Sequence, residues 1–339
     1  MKKQLVAREH TTQKPEPKMR GSRARGNTQF AWTGSDLLNG EIVPSLTMVL
    51  TTKGCSWARR DGCTMCGYNV NSNPYVQASD IQKQFNQVIA HYGKAFKIVK
   101  LFTSGSFLDK EEVPIDVRDT ILSELKDMPK VIVESRPEYV TPEICDDIAR
   151  TNEHVEVAIG LETSSDRIRN NCVNKGFSFG DFIRASETAI AHDFTVKAYL
   201  LLKPPFMTER EALEDALQSV RDAAPYADTI SLNLCNVQKG TLVEALWKKG
   251  LYRPPWLWTA VEVLKRMQET ATVICDPVGG GSRRGPHNRG KCDRKVVTEI
   301  KEFSLSQNSA SFTASCTDQM LWEFVLEFEE FSYGAPLVP

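Results

Sequence analysis

The stretch SLTMVLTTKGCSWARRDGCTMCGYN, residues 45–69, runs from a β-rich segment into a loop that holds Cys55, Cys63 and Cys66. One C-x2-C pair with one outlying cysteine is an odd donor set, because structural zinc takes four protein ligands, most readily as two such pairs. Three thiolates on one loop instead suit an iron-sulfur cube held at three corners, with the fourth iron left open. The alternative is a zinc loop completed by a distant ligand, His287 or Cys292.

Outward from this loop, short β-rich runs alternate with helical patterns. Strands are predicted at 45–51, 97–104, 130–135, 154–162, 194–202 and 228–235, each rich in Val, Ile, Leu, Thr or aromatic residues. Between them, 79–93, 114–128, 141–151, 179–193 and 208–224 carry apolar residues at helical spacing, as with Ile81, Phe85 and Ile89. Start signals accompany them: Ser79, Thr141 with Pro142 and Glu143, and Thr208 with Glu211 as a capping box. Six βα units specify an α/β fold with a parallel sheet and helices outside, a partial (β/α)6 TIM-like barrel two strands short of closure. The polar segments after the strands, from the cysteine loop through TSGSFLD, ESRPE, GLETSSD and KPPF to NVQKG, all fall on the carboxyl rim, where such folds build their sites. The expected division is a basic, flexible tail over 1–44, the barrel over 45–250, and a C-terminal mixed α/β extension over 251–339 capping the open side.

With 339 residues and a hydrophobic fraction of 41%, the chain can bury a core. No run of eighteen apolar residues occurs and the N-terminus lacks an apolar signal stretch, which predicts a cytoplasmic protein with no membrane partner. Nine irregularly spaced cysteines then indicate reduced thiols or metal ligation rather than a disulfide framework. The net charge of −1 hides a gradient: residues 1–27 hold eight Lys/Arg and two Glu. Such a tail is either solubilising or follows a phosphate backbone, and a second basic patch, GSRRGPHNRGKCDRK at 281–295, favours RNA.

The cysteine loop after the first strand of a partial barrel resembles the radical S-adenosylmethionine (SAM) enzymes, although C-x7-C-x2-C departs from their commonest C-x3-C-x2-C. The resemblance implies a [4Fe-4S] cluster on Cys55, Cys63 and Cys66, with SAM on the open iron. It further implies a cofactor site in which Thr103, Ser104, Gly105 and Ser106 meet the methionine amino group, with Ser106 where a glutamate often stands. Glu134 would bind ribose hydroxyls, Arg136 the SAM carboxylate, and Met65 the adenine. Gly160 would admit the cofactor closely, beside Glu162 in the same layer. Taken together, KGCSWARRDGCTMCGYN, LFTSGSFLD, ESRPEYVT, GLETSSDRIR, NVQKGTLVE and YRPPWLW resemble the archaeosine-synthesis radical SAM family (RaSEA), related to the elongator catalytic subunit. That family implies a radical SAM lyase that cleaves the carbon-nitrogen bond of a lysine adduct on a 7-deazaguanine base in the tRNA D loop, forming archaeosine. Its partners would be the modified tRNA, an ArcS-like lysine-attaching enzyme, and ferredoxin or flavodoxin as electron donor. The rival readings are an elongator-like radical SAM tRNA modifier and a non-catalytic, zinc-stabilised RNA-binding protein.

Of the remaining residues, Cys145 and Cys172 are read as packing thiols and Cys235 as a rim thiol. His10, His91, His154 and His192 are structural or exposed. Cys275, His287, Cys292 and Cys316 are candidates for a second metal site. Lys203, Asn233, Asn236 and Gln238 are placed at the substrate mouth by strand-end position alone.

Overall fold

The computed structural model describes residues 30–329, so the basic segment 1–27, with its expected RNA contact, lies outside the described residues. Eight strands form one sheet in chain order: β1 Phe30–Leu38, β2 Glu41–Val49, β3 Ile98–Phe102, β4 Lys130–Ser135, β5 Val155–Glu162, β6 Thr195–Leu202, β7 Thr229–Leu234 and β8 Val273–Ile274. From β2 to β8 every neighbouring pair is parallel, while β1 runs antiparallel to β2. The helices α1 Ala78–Tyr92, α2 Ile115–Glu124, α3 Pro142–Ala149, α4 Asp166–Ile168, α5 Phe179–Ile190 and α6 Glu209–Ala223 fill the crossovers between β2 and β7. The result is the expected curled, partly closed barrel of the radical SAM type, with β1 and β8 as its two edges.

Local chemistry sets the helix starts. Thr208 and Glu211 form the expected reciprocal cap on α6, and Ser178 with Asp181 does the same for α5. The Thr141 hydroxyl accepts the Ile144 amide ahead of Pro142, as the sequence predicts for α3. At α1 the cap is Gln77 with Asp80 rather than Ser79, which lies inside the first turn.

Residues 30–44 differ from the expected tail. They fold into a hairpin because Asn39 and Gly40 both adopt positive φ (51° and 82°), the two-residue turn whose twist matches that of paired strands. Lys100 on β3 then holds Asp36 of β1 at 2.6 Å. Low in the barrel, Glu156 is clamped by Lys130 at 2.5 Å and Lys197 at 2.7 Å. Burial alone would raise the Glu156 carboxyl, but the two ammonium groups override it and bring it down to about 2.

The βα alternation extends one strand past residue 250, to β8. Beyond β7 lie α7 Leu242–Lys248, α8 Leu257–Met267, α9 Asp293–Ser306 and α10 Thr317–Phe328. Helix α9 packs against both edge strands, β1 and β8, and inserts Val296, Ile300 and Phe303 into the main core. The C-terminal region thereby covers the open side of the barrel. Helix α10 lies on α6, where the Trp322 indole donates to Thr259 Oγ1 at 2.8 Å, and Thr259 donates to Glu209 at 2.5 Å. Among the described residues no helix is long and apolar enough to cross a membrane.

Candidate functional site

The cysteine loop is fixed at the barrel mouth from two sides. On one side α4 continues into a π-helical turn, Arg169–Val173, that ends on Asn174 in the left-handed region at φ 57°. The widened turn frees carbonyls for the loop. Thr64 donates its amide to Val173 O (2.9 Å) and its hydroxyl to Cys172 O (2.7 Å), while Trp57 Nε1 donates to Asn174 O and Asn174 Nδ2 to Gly62 O, both at 2.8 Å. Fully buried Arg169 organises the turn by donating to Thr163 O and Phe177 O. A side chain at Gly176 would lie 2.4 Å from the Trp57 indole. On the other side the Gly67 amide donates to Gln238 Oε1 at 2.6 Å, which gives Gln238, expected at the substrate mouth, a defined task in holding the loop.

Cys55, Cys63 and Cys66 are all half-buried and free of disulfides. Burial pushes the Cys63 thiol up to about 12, with Lys175 opposing and Cys66 and Glu162 reinforcing. A single zinc would need sulfurs about 3.8 Å apart. Among the described residues the only donor group gathered to within 4.8 Å is Cys292, Cys316 and Asp318, not the three loop cysteines. Of the distant ligands of the zinc alternative, neither His287 nor Cys292 is gathered with the loop cysteines to that distance: Cys292 belongs to the other group, and His287 Nδ1 sits 2.7 Å from Gly285 O.

The segment after β3 packs directly on Cys55. A Cβ at Gly105 would fall 2.6 Å from Cys55 Cα and 2.5 Å from Glu112 Oε2, so only glycine admits this approach. Glu112, 1% exposed, accepts the Thr52 hydroxyl at 2.6 Å and the Ser106 amide at 2.7 Å, and it also bonds Thr103. Ser106, also 1% exposed, uses its hydroxyl to accept the Arg136 amide at 3.0 Å. Thr103 and Ser106 thus brace the loop inward, and Ser104 and Gly105 are the half-buried members of the set. Glu112 escaped the sequence reading because nothing in LDKEEV distinguishes it from a surface carboxylate.

Across the mouth, Arg136 stacks between the rings of Trp57 (5.3 Å) and Phe177 (5.4 Å), pairs with Glu138 at 2.5 Å, and donates to Lys175 O at 3.0 Å. Its contacts brace the site. The cation facing the cysteines is Lys175, which the sequence reading did not single out. Its Nζ lies 2.5 Å from Glu162 Oε1, and a Cβ on Gly160 would lie 2.8 Å from that Nζ, so Gly160 makes room for this lysine. Glu162 sits at a register shift in β5 with φ 68°, a local distortion at the rim. Glu134 is hydrogen-bonded by Tyr199; burial raises its carboxyl to about 8 against the opposing pull of Tyr199 and Lys175. Met65 packs on the apolar cluster of Leu201, Cys235, Val237, Val243 and Tyr252 above β6 and β7.

Elsewhere, Lys203 is withdrawn from the expected mouth into a buried pair with Glu209 at 2.7 Å. Asn233 and Asn236 remain half-buried at the end of β7. Cys145, Cys172 and Cys235 are buried thiols. The expected second metal group is redrawn: Cys275 N donates to Ser304 Oγ beside β8 and His287 is turned to Gly285, while Asp318 joins Cys292 and Cys316.

Residues 49–218 match the family model of the radical SAM superfamily. The archaeosine synthase subunit beta of Methanosarcina acetivorans is 50% identical over 321 residues, covering 91% of this chain and 92% of that protein. The protein of the same name from Thermococcus kodakarensis is 40% identical, covering 87% and 96%. Among solved structures, the archaeal Elp3 of Methanocaldococcus infernus shares the fold with a TM-score of 0.50 at 16% identity, over 77% of this chain and 63% of that one. Such coverage and identity, on a site built around three cysteines at the rim of a partial barrel, establish that the chain belongs to the archaeosine synthase subunit beta family of the radical SAM superfamily.

Proposed function

We propose that this protein is a radical SAM tRNA-modifying enzyme acting on a 7-deazaguanine base, in which Cys55, Cys63 and Cys66 hold three irons of a [4Fe-4S] cluster. The observation that carries the reading is the cysteine loop itself, pinned to the rim by Thr64, Trp57, Asn174 and Gln238, in a chain 50% identical to an archaeosine synthase subunit. The donor set fits: three half-buried thiols on one braced loop, spread wider than a single ion needs. Bound SAM and cluster supply one-electron cleavage to a primary carbon radical able to take hydrogen from an unactivated carbon-hydrogen bond.

The protein's own residues supply position and shelter. Lys175, paired with Glu162, and Arg136, paired with Glu138, bring two cations to the mouth for the SAM carboxylate. Glu134 faces the same mouth to meet ribose hydroxyls, and Ser104 and Gly105 stand nearest for the amino group. Met65 lies over the apolar cluster where a purine ring can stack. The C-terminal helices close the barrel side and exclude competing hydrogen donors.

The substrate in this reading is tRNA whose D-loop 7-deazaguanine carries a lysine added by an ArcS-like enzyme. Loss of a hydrogen atom and then of one electron from the side-chain carbon beside nitrogen, followed by addition of water, would break the carbon-nitrogen bond, leaving the nitrogen on the base as the archaeosine amidine and releasing that carbon as a lysine-derived semialdehyde; the electron can return to the oxidised cluster. A ferredoxin or flavodoxin delivers the electron, in the cytoplasm. The test is anaerobic reconstitution, then reduction with SAM and lysine-bearing tRNA and mass spectrometry of nucleosides. About four irons per chain, 5'-deoxyadenosine and archaeosine are expected, and Cys63→Ala should lose all three. SAM cleavage with an unchanged base rejects the substrate; colourless protein without SAM cleavage rejects the enzyme.

A further inference from the structure

The caps of α9 and α10 meet in an arrangement that nothing in the radical chemistry uses. Cys292 precedes α9, Cys316 precedes α10, and Asp318 lies in the first turn of α10. The two sulfurs and a carboxylate oxygen all fall within 4.8 Å of one another, with Cys292 7% and Asp318 8% exposed. A zinc ion with thiolates at about 2.3 Å and a carboxylate at about 2.1 Å needs sulfurs about 3.8 Å apart and sulfur-oxygen gaps of about 3.6 Å. The preformed group therefore has to contract by at most about 1.2 Å.

Two further observations point to a cation. Asp318 is a buried carboxylate whose hydrogen bond is the long one from the Arg289 amide, 3.2 Å, and among the described residues it makes no ion pair. A buried carboxylate with so few polar partners is costly. The outer contacts are also those of a ligand set: Asn288, 1% exposed, points Nδ2 at Cys292 Sγ (3.5 Å) while its own Oδ1 is engaged by the Trp258 amide at 3.3 Å. Donors that orient sulfur and carboxylate in this way are the usual second layer of a metal site.

We propose that Cys292, Cys316 and Asp318 bind a zinc ion, with water in the fourth position on the side where Cys316 is half-exposed. Two thiolates and one carboxylate match zinc better than the hard cations magnesium or calcium. The ion fastens the helix that seals the barrel edges, α9, to the helix that leans on α6, α10. This site is separate from the cysteine loop and does not depend on the tRNA reading.

The test is metal analysis of the full-length, cluster-reconstituted protein. Expected are about one zinc per chain beside the iron, and two sulfur scatterers at about 2.3 Å at the zinc absorption edge. Cys292→Ser/Cys316→Ser should lower zinc at least tenfold with iron unchanged. Asp318→Asn, which keeps the shape and the Arg289 contact, should release zinc to a chelator at a concentration at least tenfold lower. Should the double variant fail to fold, the edge spectrum and the Asp318 variant decide alone. Wild-type protein without zinc, zinc indifferent to these substitutions, or a Cys292–Cys316 disulfide seen as an intact mass about 2 Da low would each overturn the site.

Discussion

Lys175 Nζ lies 2.5 Å from the Glu162 carboxylate, with only 13% and 8% of the two side chains exposed, and the pair faces Cys63. Burial disfavours the ammonium, but Glu162 and Cys63 outweigh it and hold Lys175 above the ordinary amine value. Lys175→Met should therefore lose about 3 kcal/mol in chemical denaturation, because it strands a buried carboxylate. Lys175→Met/Glu162→Gln should recover more than half of that. A raised lysine contributes fully below its unfolded value and loses the contribution only as pH rises through the folded one. The wild-type pair should accordingly add no pH dependence below about pH 9, whereas the carboxylate stranded in Lys175→Met takes up a proton on the acid side, so the difference between the two proteins should grow from about pH 5 and level off by about pH 9.

Gly105 packs against both Cys55 and Glu112 with no room for a methyl group, whose carbon would lie 2.6 Å from Cys55 Cα and 2.5 Å from Glu112 Oε2. Gly105→Ala should displace the loop and reduce iron retained after reconstitution by more than half, read by iron analysis. Gly34→Ala on β1, where an added Cβ meets only Ser45 Oγ at 3.4 Å, should retain full iron. Equal iron in both variants would contradict the close packing of loop on loop.

Six parallel strands, β2 to β7, were legible because strands covered on both faces read as continuous apolar runs, and the helices between them carry strong periodicity and caps. The hairpin was not. Trp32 and Ile42 are 48% and 61% exposed, so β1 and the start of β2 lack clean alternation of buried apolar and exposed polar residues. Asn39-Gly40 was the signal that would have revealed it. Of the site, the cysteines and the TSGS segment were visible as local motifs. Lys175 and Glu112 were not, because their partners, Glu162 and Thr52, come from other segments. Asp318 joined the second thiol group for the same reason, displacing Cys275 and His287.

Glu134 makes the cofactor-free protein sensitive to pH. Its carboxyl, raised to about 8 by burial, keeps a proton in the folded state that the unfolded chain has already released above about pH 4.3. Folded protein thus binds more protons across this window, and stability falls as pH rises from about 5 to about 8. The loss should be on the order of 2 kcal/mol, below the full value of the shift because the side chain is partly solvated. Glu134→Gln, which is neutral throughout, should flatten that slope in urea denaturation at several pH values. An unchanged slope would assign the effect to another group.

The last prediction concerns the polar chain joining the barrel to its cover. Trp322 donates to Thr259, Thr259 donates to Glu209 Oε1, and Glu209 Oε2 receives Lys203 at 2.7 Å, all inside the protein. Thr259→Val removes both middle contacts, stranding the indole N–H and leaving Glu209 Oε1 with the Trp256 amide (2.8 Å) alone, and should cost about 2 kcal/mol. Trp322→Phe removes the donor together with part of a ring that is only 6% exposed, at a cost of about 2 kcal/mol. Once the indole has gone, Thr259→Val strands one group fewer, so the two losses should not add. A double-mutant cycle in urea should show coupling of about 1 kcal/mol. Simple additivity would mean that the Trp322–Thr259 hydrogen bond contributes nothing to the attachment of α10, which would then rest on apolar packing and on the bond from Arg210 Nε to Leu326 O.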